Sequence, residues 1–293
     1  MIFSGKSSKI KITISPYIFI LPAALFYVIF RLGPIILTVI LSFFRWDGII
    51  PTSKFIGLKY YIYILTDPLF RNALFHNIIF LILAIAIPVW IGFFLAVLLS
   101  EIPFFRTLFR AILFLPCIFG GVVVAYIWNW VYHPFAGLLN GILQSIGLNF
   151  LTSAWIGDTR LALLSVFGAY SWASYGYSMI FFLAGLQNIS PELYDAATVD
   201  GANFWQKILY ITIPSLREVF TFVIVLRILT SLKQFEIPFI LTGGGPYYAT
   251  DMMELYTYRF IADYELGLAC AGATLEAVIV STVALLFIRG REK

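Results

Sequence analysis

Six runs of roughly 20 or more mostly apolar residues constrain this chain more than any other feature, because each can cross the hydrocarbon core of a bilayer as a helix. They cover about residues 16–44, 75–99, 109–131, 161–186, 216–241 and 266–288. Only 12% of the 293 residues are charged, against about 25% in a soluble domain whose surface must stay wet. With 61% hydrophobic and 18% aromatic residues, lipid is the main solvent for such a sequence. The expected fold is an all-α membrane protein of six transmembrane helices, one bundle rather than two soluble domains. Arg31 and Pro34 predict a kink or a shorter true span inside the first run, and the fifth run is the most polar.

Basic residues orient the bundle. One side collects Lys6, Lys9, Lys11, Arg106, Arg110, Lys207, Arg217, Arg289, Arg291 and Lys293. The other carries Arg45, Lys54, Lys59, Arg71, Arg160 and Arg259. Ten against six makes the first side cytoplasmic, with both termini on it, and that requires an even number of spans. Residues 1–15 then form a cytoplasmic tail, 16–288 the membrane domain, and 289–293 a second tail. No small-residue cleavage site follows the basic start, so the first span is expected to stay as an anchor. A net charge of +4, small and scattered, argues against nucleic acid as a partner.

On the outer side, residues 45–74 combine aromatics, Pro51, Gly57 and mixed charges, as in a short structured cap. Residues 138–151 are apolar but too short to span, and predict an amphipathic helix along the interface. Cys117 and Cys270 lie in apolar stretches and read as small buried side chains, without a disulfide or a metal site. His76 and His133 have no metal-ligand spacing and read as structural.

The segment 189–216, between the fourth and fifth runs on the cytoplasmic side, reads ISPELYDAATVDGANFWQKILYITIPSL. Ser190 suits an N-cap and Pro191 the first helical position, where its missing N–H costs nothing. Glu192 places negative charge at the positive end of that helix. A short helix over 191–200 should stop at Gly201, where a left-handed backbone is easily reached. A second, from Ala202 to about Tyr210, should end before Pro214. The product is a cytoplasmic helix-turn-helix projection.

Asp195-Ala196-Ala197, three residues, Gly201, nine residues, then Ile211-Thr212-Ile213-Pro214 resembles the EAA loop of ABC importer permeases. That family has Glu-Ala-Ala, three residues, Gly, nine residues, then Ile-x-Leu-Pro. Here Asp195 replaces Glu, one methylene shorter, and Ile213 replaces Leu. Leu183-Ala184-Gly185-Leu186-Gln187 and Leu241-Thr242-Gly243-Gly244-Gly245-Pro246 look like the carbohydrate-uptake branch, similar to subunits for maltose, other oligosaccharides or glycerol 3-phosphate. Ile20-Leu21-Pro22, Gly33-Pro34 and Phe55-Ile56-Gly57-Leu58 fit the same branch. The resemblance runs from about residue 15 to 288, without a large inserted outer domain.

The resemblance implies a permease subunit of a binding-protein-dependent importer, forming half of a pathway for a sugar-like solute. Its implied partners are a second homologous permease, ATP-binding cassette subunits and an extracytoplasmic solute-binding protein, all within or against the cell membrane and its lipid. The loop is then a coupling element held in a groove of the ATPase. Glu192, Asp195 and Asp200 would carry charge there, and Ala196, Ala197 and Ala202 would allow close approach. Gly201 would hold the angle. ATP and Mg would sit on the partner, and no cofactor or metal on this chain. Gly5-Lys6-Ser7 imitates the end of a P-loop but lacks its first glycine and strand. Residues 243–245 lack the Lys-Ser/Thr partner a phosphate cradle needs.

Charged residues within membrane spans usually face protein or water, because lipid exposure is costly. Arg227, Lys233 and Glu236 fall in the fifth run and Glu276 in the sixth. Sugar hydroxyls need hydrogen bonds and sugar ring faces need aromatics. Asn129, Tyr175, Gln234, Glu236 and Glu276 are therefore the candidate pathway residues, with Trp128, Trp130, Tyr170, Trp172 and Tyr177 as aromatic faces. Two alternatives stay open: Trp128, Trp130 and Tyr132 as an interfacial belt, and Lys233 with Glu236 as a pair on one helical face. A stand-alone secondary transporter would call for an internal inverted repeat, which is not evident. An intramembrane enzyme would call for a catalytic constellation, and none has credible spacing.

Overall fold

The computed structural model describes residues 15–49, 54–102 and 106–291. Expectations resting on residues 1–14, on Pro51 and on Lys293 lie outside these. The chain begins as α1 (Ser15–Tyr27), widens through a π-helical stretch (Val28–Leu32) and continues as α2 (Gly33–Leu41). Pro34 cannot donate a backbone hydrogen bond, and the expected kink takes the form of this wider turn just before it. From Phe19 to Leu41 the span buries nothing.

The segment expected as a cap follows. A two-residue ladder pairs β1 (Phe44–Arg45) with β2 (Lys54–Phe55), and α3 (Lys59–Thr66) packs on α4 and α16. This ladder corrects the all-α expectation. Next, α4 (Pro68–Ala86) and α5 (Pro88–Glu101) run on through Ile87 as 34 residues, about 51 Å at 1.5 Å per residue. That exceeds the membrane core, so α4 starts well before residue 75. Asp67 caps it by accepting from the Leu69 amide at 2.9 Å.

The third run is not one straight helix. α6 (Arg106–Ile118) and α7 (Gly121–Val131) meet at 94°. Pro116 weakens the last turn of α6, and Gly120 adopts an extended conformation that ends it. The Tyr177 hydroxyl donates to the Cys117 carbonyl at 2.8 Å and satisfies a group left free there. α8 (Leu138–Ser145), the helix expected along the interface, is shorter than expected, because Gly147 at φ +79 turns the chain and only a 3₁₀ turn (Asn149–Leu151) follows.

At the centre stands α9 (Ala162–Leu186), packed against α5, α6, α7 and α13. Small residues let these helices approach closely, as membrane bundles require. A methyl group on Gly92 of α5 would lie 2.5 Å from the Ser178 side chain. One on Gly176 would lie 2.6 Å from Cys117 of α6. Phe93, Phe182 and Phe220 interlock α5, α9 and α13, with ring centroids 4.5–5.5 Å apart.

Beyond α9 come α10 (Pro191–Val199), α11 (Phe204–Lys207), a π-helical stretch (Ile208–Thr212) and α12 (Ile213–Ser215). The chain then turns by 71° at Leu216 into α13 (Arg217–Leu232). α14 (Glu236–Thr242), α15 (Met253–Ala262) and α16 (Leu266–Arg291) complete it. Among the described residues, three helices are long and apolar enough to cross a membrane, or five if each bent pair is one span. The fourth expected run, 161–186, corresponds to α9, whose buried Ser165, Ser171, Ser174 and Ser178 lower its apolar content. Surrounded by protein, it has no need of an apolar exterior.

Candidate functional site

Two features carry the chemistry: a foot built from α10–α12, and a cavity halfway along α9 and α13. In the foot, Ser190 occupies the N-cap position of α10 without a side-chain cap bond, and Pro191 opens the helix. At its end the Ala202 amide donates to the Ala197 carbonyl at 2.9 Å and the Gly201 amide to Thr198 at 3.1 Å. Those two bonds, with Gly201 at φ +77, form a Schellman stop. Asn203 then starts α11 through a reciprocal capping box with Gln206, at 2.9 and 2.7 Å. Tyr194 and Thr212 hydroxyls meet at 2.9 Å, and the Lys207 ammonium donates to the Thr198 hydroxyl at 2.7 Å. These contacts clamp the two arms of the foot together.

α10 has no buried residue, and Val199 is 89% exposed. Glu192, Asp195, Ala196, Asp200 and Gly201 are exposed, while Ala197 and Ala202 are half-buried. Asp195 borders a recess of about 510 Å³ under the foot, with Glu101, Tyr194 and Lys207. A helix of this composition, exposed except for Tyr194 and Ala197, has the form of a docking element.

The cavity holds about 570 Å³. Phe119, Tyr170 and Tyr177 give it aromatic walls, and Arg227, Thr230, Gln234 and Glu236 supply polar groups. Arg227 is 6% exposed and donates to the Ser174 carbonyl at 2.6 Å and the Ser178 hydroxyl at 2.8 Å, so it ties α13 to α9. Gly121 has no side chain, which lets the Glu236 carboxylate lie against the N-terminus of α7, a favourable place for negative charge. A second cavity of about 330 Å³ adjoins the first and shares Lys233, Phe235 and Glu254 with it.

Of the five residues expected on the pathway, Gln234 and Glu236 line the larger cavity and Glu276 the smaller. Asn129 is exposed on α7 and Tyr175 half-buried on α9, and neither lines them. Lys233 and Glu236 do not share a helical face, because α13 ends at Leu232 before α14 begins. The only ion pair among the described residues is Arg259–Asp251, at 2.7 Å. The aromatic belt divides: Trp130 is exposed, Trp128 half-buried, and Tyr132 buried with its hydroxyl on the Ser165 carbonyl at 2.9 Å.

Glu254 and Thr257 did not stand out in the sequence, since they lie between the fifth and sixth expected spans. The structure turns α15 inward onto α16. Its entry is held from α4: Asn77 donates to the Leu232 carbonyl at 2.8 Å and accepts from the Met253 amide at 2.9 Å. His76 Nδ1 lies 3.0 Å from the Asp251 carbonyl, and Arg259 grips both Asp251 carboxylate oxygens at 2.7 and 2.8 Å. Burial pushes the Asp251 carboxyl up, and the Arg259 guanidinium opposes that rise.

The structure is thus a helical bundle with an exposed foot at one end and an open cavity between α9 and α13. Residues 89–290 match the sequence profile of the binding-protein-dependent transport system inner membrane component. The chain is 38% identical to YurN of Bacillus subtilis, a probable ABC transporter permease protein, over 93% of this chain and 94% of that one. It is 30% identical to the trehalose/maltose transport system permease protein MalF of Thermococcus litoralis, over 92% of each. Its fold matches a solved bacterial ABC transporter involved in import of the acidic polysaccharide alginate, with a TM-score of 0.83, 23% identity and 95% of each chain covered. The chain belongs to the binding-protein-dependent ABC transport permease family. It is an inner-membrane, multi-pass permease subunit of an importer, and does not itself carry out catalysis.

Proposed function

We propose that this permease moves a carbohydrate-like solute through the 570 Å³ cavity, as one of two homologous permease subunits. The observation that carries the reading is the lining itself: aromatic faces for sugar rings beside Gln234, Glu236 and Thr230 for hydroxyls, in a volume suited to a small saccharide. The names of relatives such as the trehalose/maltose permease point the same way. Six spans would place both termini in the cytoplasm: Phe19–Leu41, Pro68–Glu101, the bent pair through Val131, Ala162–Leu186, Arg217–Thr242 and Leu266–Arg291.

In this arrangement the foot, residues 189–216, docks on a cytoplasmic ATPase that binds ATP and Mg. Glu192, Asp195 and Asp200 meet basic groups of its groove, Ala196, Ala197 and Ala202 permit close approach, and Gly201 sets the angle. An extracytoplasmic binding protein delivers solute to the opposite face. ATPase closure moves the foot, and the bundle shifts between two packings that differ in which side the cavity faces. The test is uptake of a panel of labelled mono- and disaccharides by cells with and without this chain. Loss of uptake for one or more saccharides is expected on deletion. Unchanged saccharide uptake, with loss of a non-carbohydrate solute, would overturn the reading.

A further inference from the structure

Three buried oxygens lie without a hydrogen-bond partner on the smaller cavity: Glu254 Oε2, Thr257 Oγ1 and Glu276 Oε1. Their convergence follows from helix geometry. Glu254 and Thr257 are three residues apart on α15 and so share a face. Thr257 packs on Gly272 of α16, where an added methyl would lie 2.6 Å from its hydroxyl. Glu276 stands four residues further along α16, on that same face. Thr257 and Glu276 are each only 6% exposed. Buried polar groups without partners are costly, and buried carboxylates more so, unless something positive and hydrogen-bonding joins them.

Lys233 lines the same cavity and its charge is felt by both glutamates, yet it forms no ion pair with either. Two carboxyl side chains face one ammonium on the cavity wall. A bare ion would leave most of 330 Å³ empty, since a water occupies only about 30 Å³. Phe235 and Tyr258, with ring centroids 5.1 Å apart, add aromatic faces that attract organic cations. Because Lys233, Phe235 and Glu254 border both cavities, a solute in the larger one can extend a charged group into the smaller.

We infer that Glu254, Glu276 and Thr257 form a subsite for a protonated amine on the solute, so that the permease takes amino-bearing saccharides. This rests on the carbohydrate reading above. The ammonium would donate to Glu254, Glu276 and the Thr257 hydroxyl, while the sugar ring stays against the aromatic walls of the larger cavity.

The test uses the complete importer in lipid nanodiscs, with titration calorimetry near neutral pH and constant ionic strength. The probes are chitobiose, N,N′-diacetylchitobiose, cellobiose and sodium chloride. Chitobiose is expected to bind about tenfold more tightly than its acetylated or hydroxyl counterparts, the size of one charge-assisted hydrogen bond. Glu276→Gln is expected to erase that preference and Thr257→Val to reduce it, each read as the ratio of chitobiose to cellobiose affinity. Should Glu276→Gln fail to assemble, Glu254→Gln carries the same expectation. Equal binding of the three disaccharides overturns the subsite and leaves the carbohydrate reading standing, whereas no saccharide binding overturns both. Sodium chloride displacing chitobiose at constant ionic strength would mean an inorganic-ion site and overturn the proposal. So would loss of the second permease in Glu276→Gln with full amine preference retained in Glu254→Gln, which would mean the carboxylates face that partner.

Discussion

Replacing Gly201 by alanine isolates the backbone's share in holding the foot. The residue sits at φ +77, and nothing lies within 4 Å of an added methyl group, so no steric clash enters. What remains is the cost of forcing an L-residue into the left-handed region, roughly 1–2 kcal/mol. Asparagine tolerates that region better, so Gly201→Asn should cost less than Gly201→Ala. The strain falls on two bonds, from the Gly201 amide to Thr198 and from the Ala202 amide to Ala197. A cost of that size raises the population of the opened turn about 5- to 30-fold. Hydrogen exchange at those two amides, in the assembled transporter, should accelerate by that factor for alanine and by less for asparagine. ATP hydrolysis stimulated by the loaded binding protein should fall in the same order. Exchange in Gly201→Ala indistinguishable from wild type, or asparagine worse than alanine, would refute the reasoning.

Other substitutions probe the rest of the frame. Tyr194→Phe removes the hydroxyl contact to Thr212, worth about 1 kcal/mol, and should lower transport per ATP hydrolysed while complex assembly, followed by size-exclusion chromatography, is unchanged. Asn77→Leu leaves the buried Leu232 carbonyl and Met253 amide without their shared partner, and should cost about 1–3 kcal/mol, read as a lower thermal midpoint in detergent. Gly92→Ala drives a methyl group into Ser178 and the α9 backbone and should destabilise by about 1–3 kcal/mol by the same measurement, with Gly141→Ala, which meets open space, as the neutral control.

Long-range consequences of the sequence were legible where they rest on local chemistry. The foot is an example: its Ser190-Pro191 start and Gly201 stop are one-residue signals that fall at the corresponding places. Pro214 does not end the second arm as expected: it lies inside α12, in a first turn where its missing N–H costs nothing, and the chain breaks at Leu216 instead. The Asn203–Gln206 capping box carried a signal of the same kind that the motif overshadowed. Pro116 and the Gly120-Gly121 pair were likewise readable as the cause of the 94° bend, yet apolar content alone merged α6 and α7 into one run. The Lys233–Glu236 pairing failed for a physical reason. A spacing of three implies a shared face only while the helix continues, and α13 stops at Leu232. Glu254 and Thr257 were hidden because their importance comes from α15 folding back onto α16, a contact fixed by Asn77 more than 170 residues away in sequence. Tertiary partners at such separations leave no local pattern to read.

The account depends most on the foot lying in the cytoplasm and gripping an ATP-driven partner. Val199, 89% exposed at the tip of α10, is the place to ask. A Val199→Cys variant, in right-side-out and inverted vesicles, is exposed to a membrane-impermeant thiol reagent with the parent chain as background control for Cys117 and Cys270. Labelling is expected only in inverted vesicles, and it should fall when the ATPase is bound and change again on adding ATP. Labelling from the outer face, or solute accumulation by this permease in liposomes without any ATPase, would contradict it.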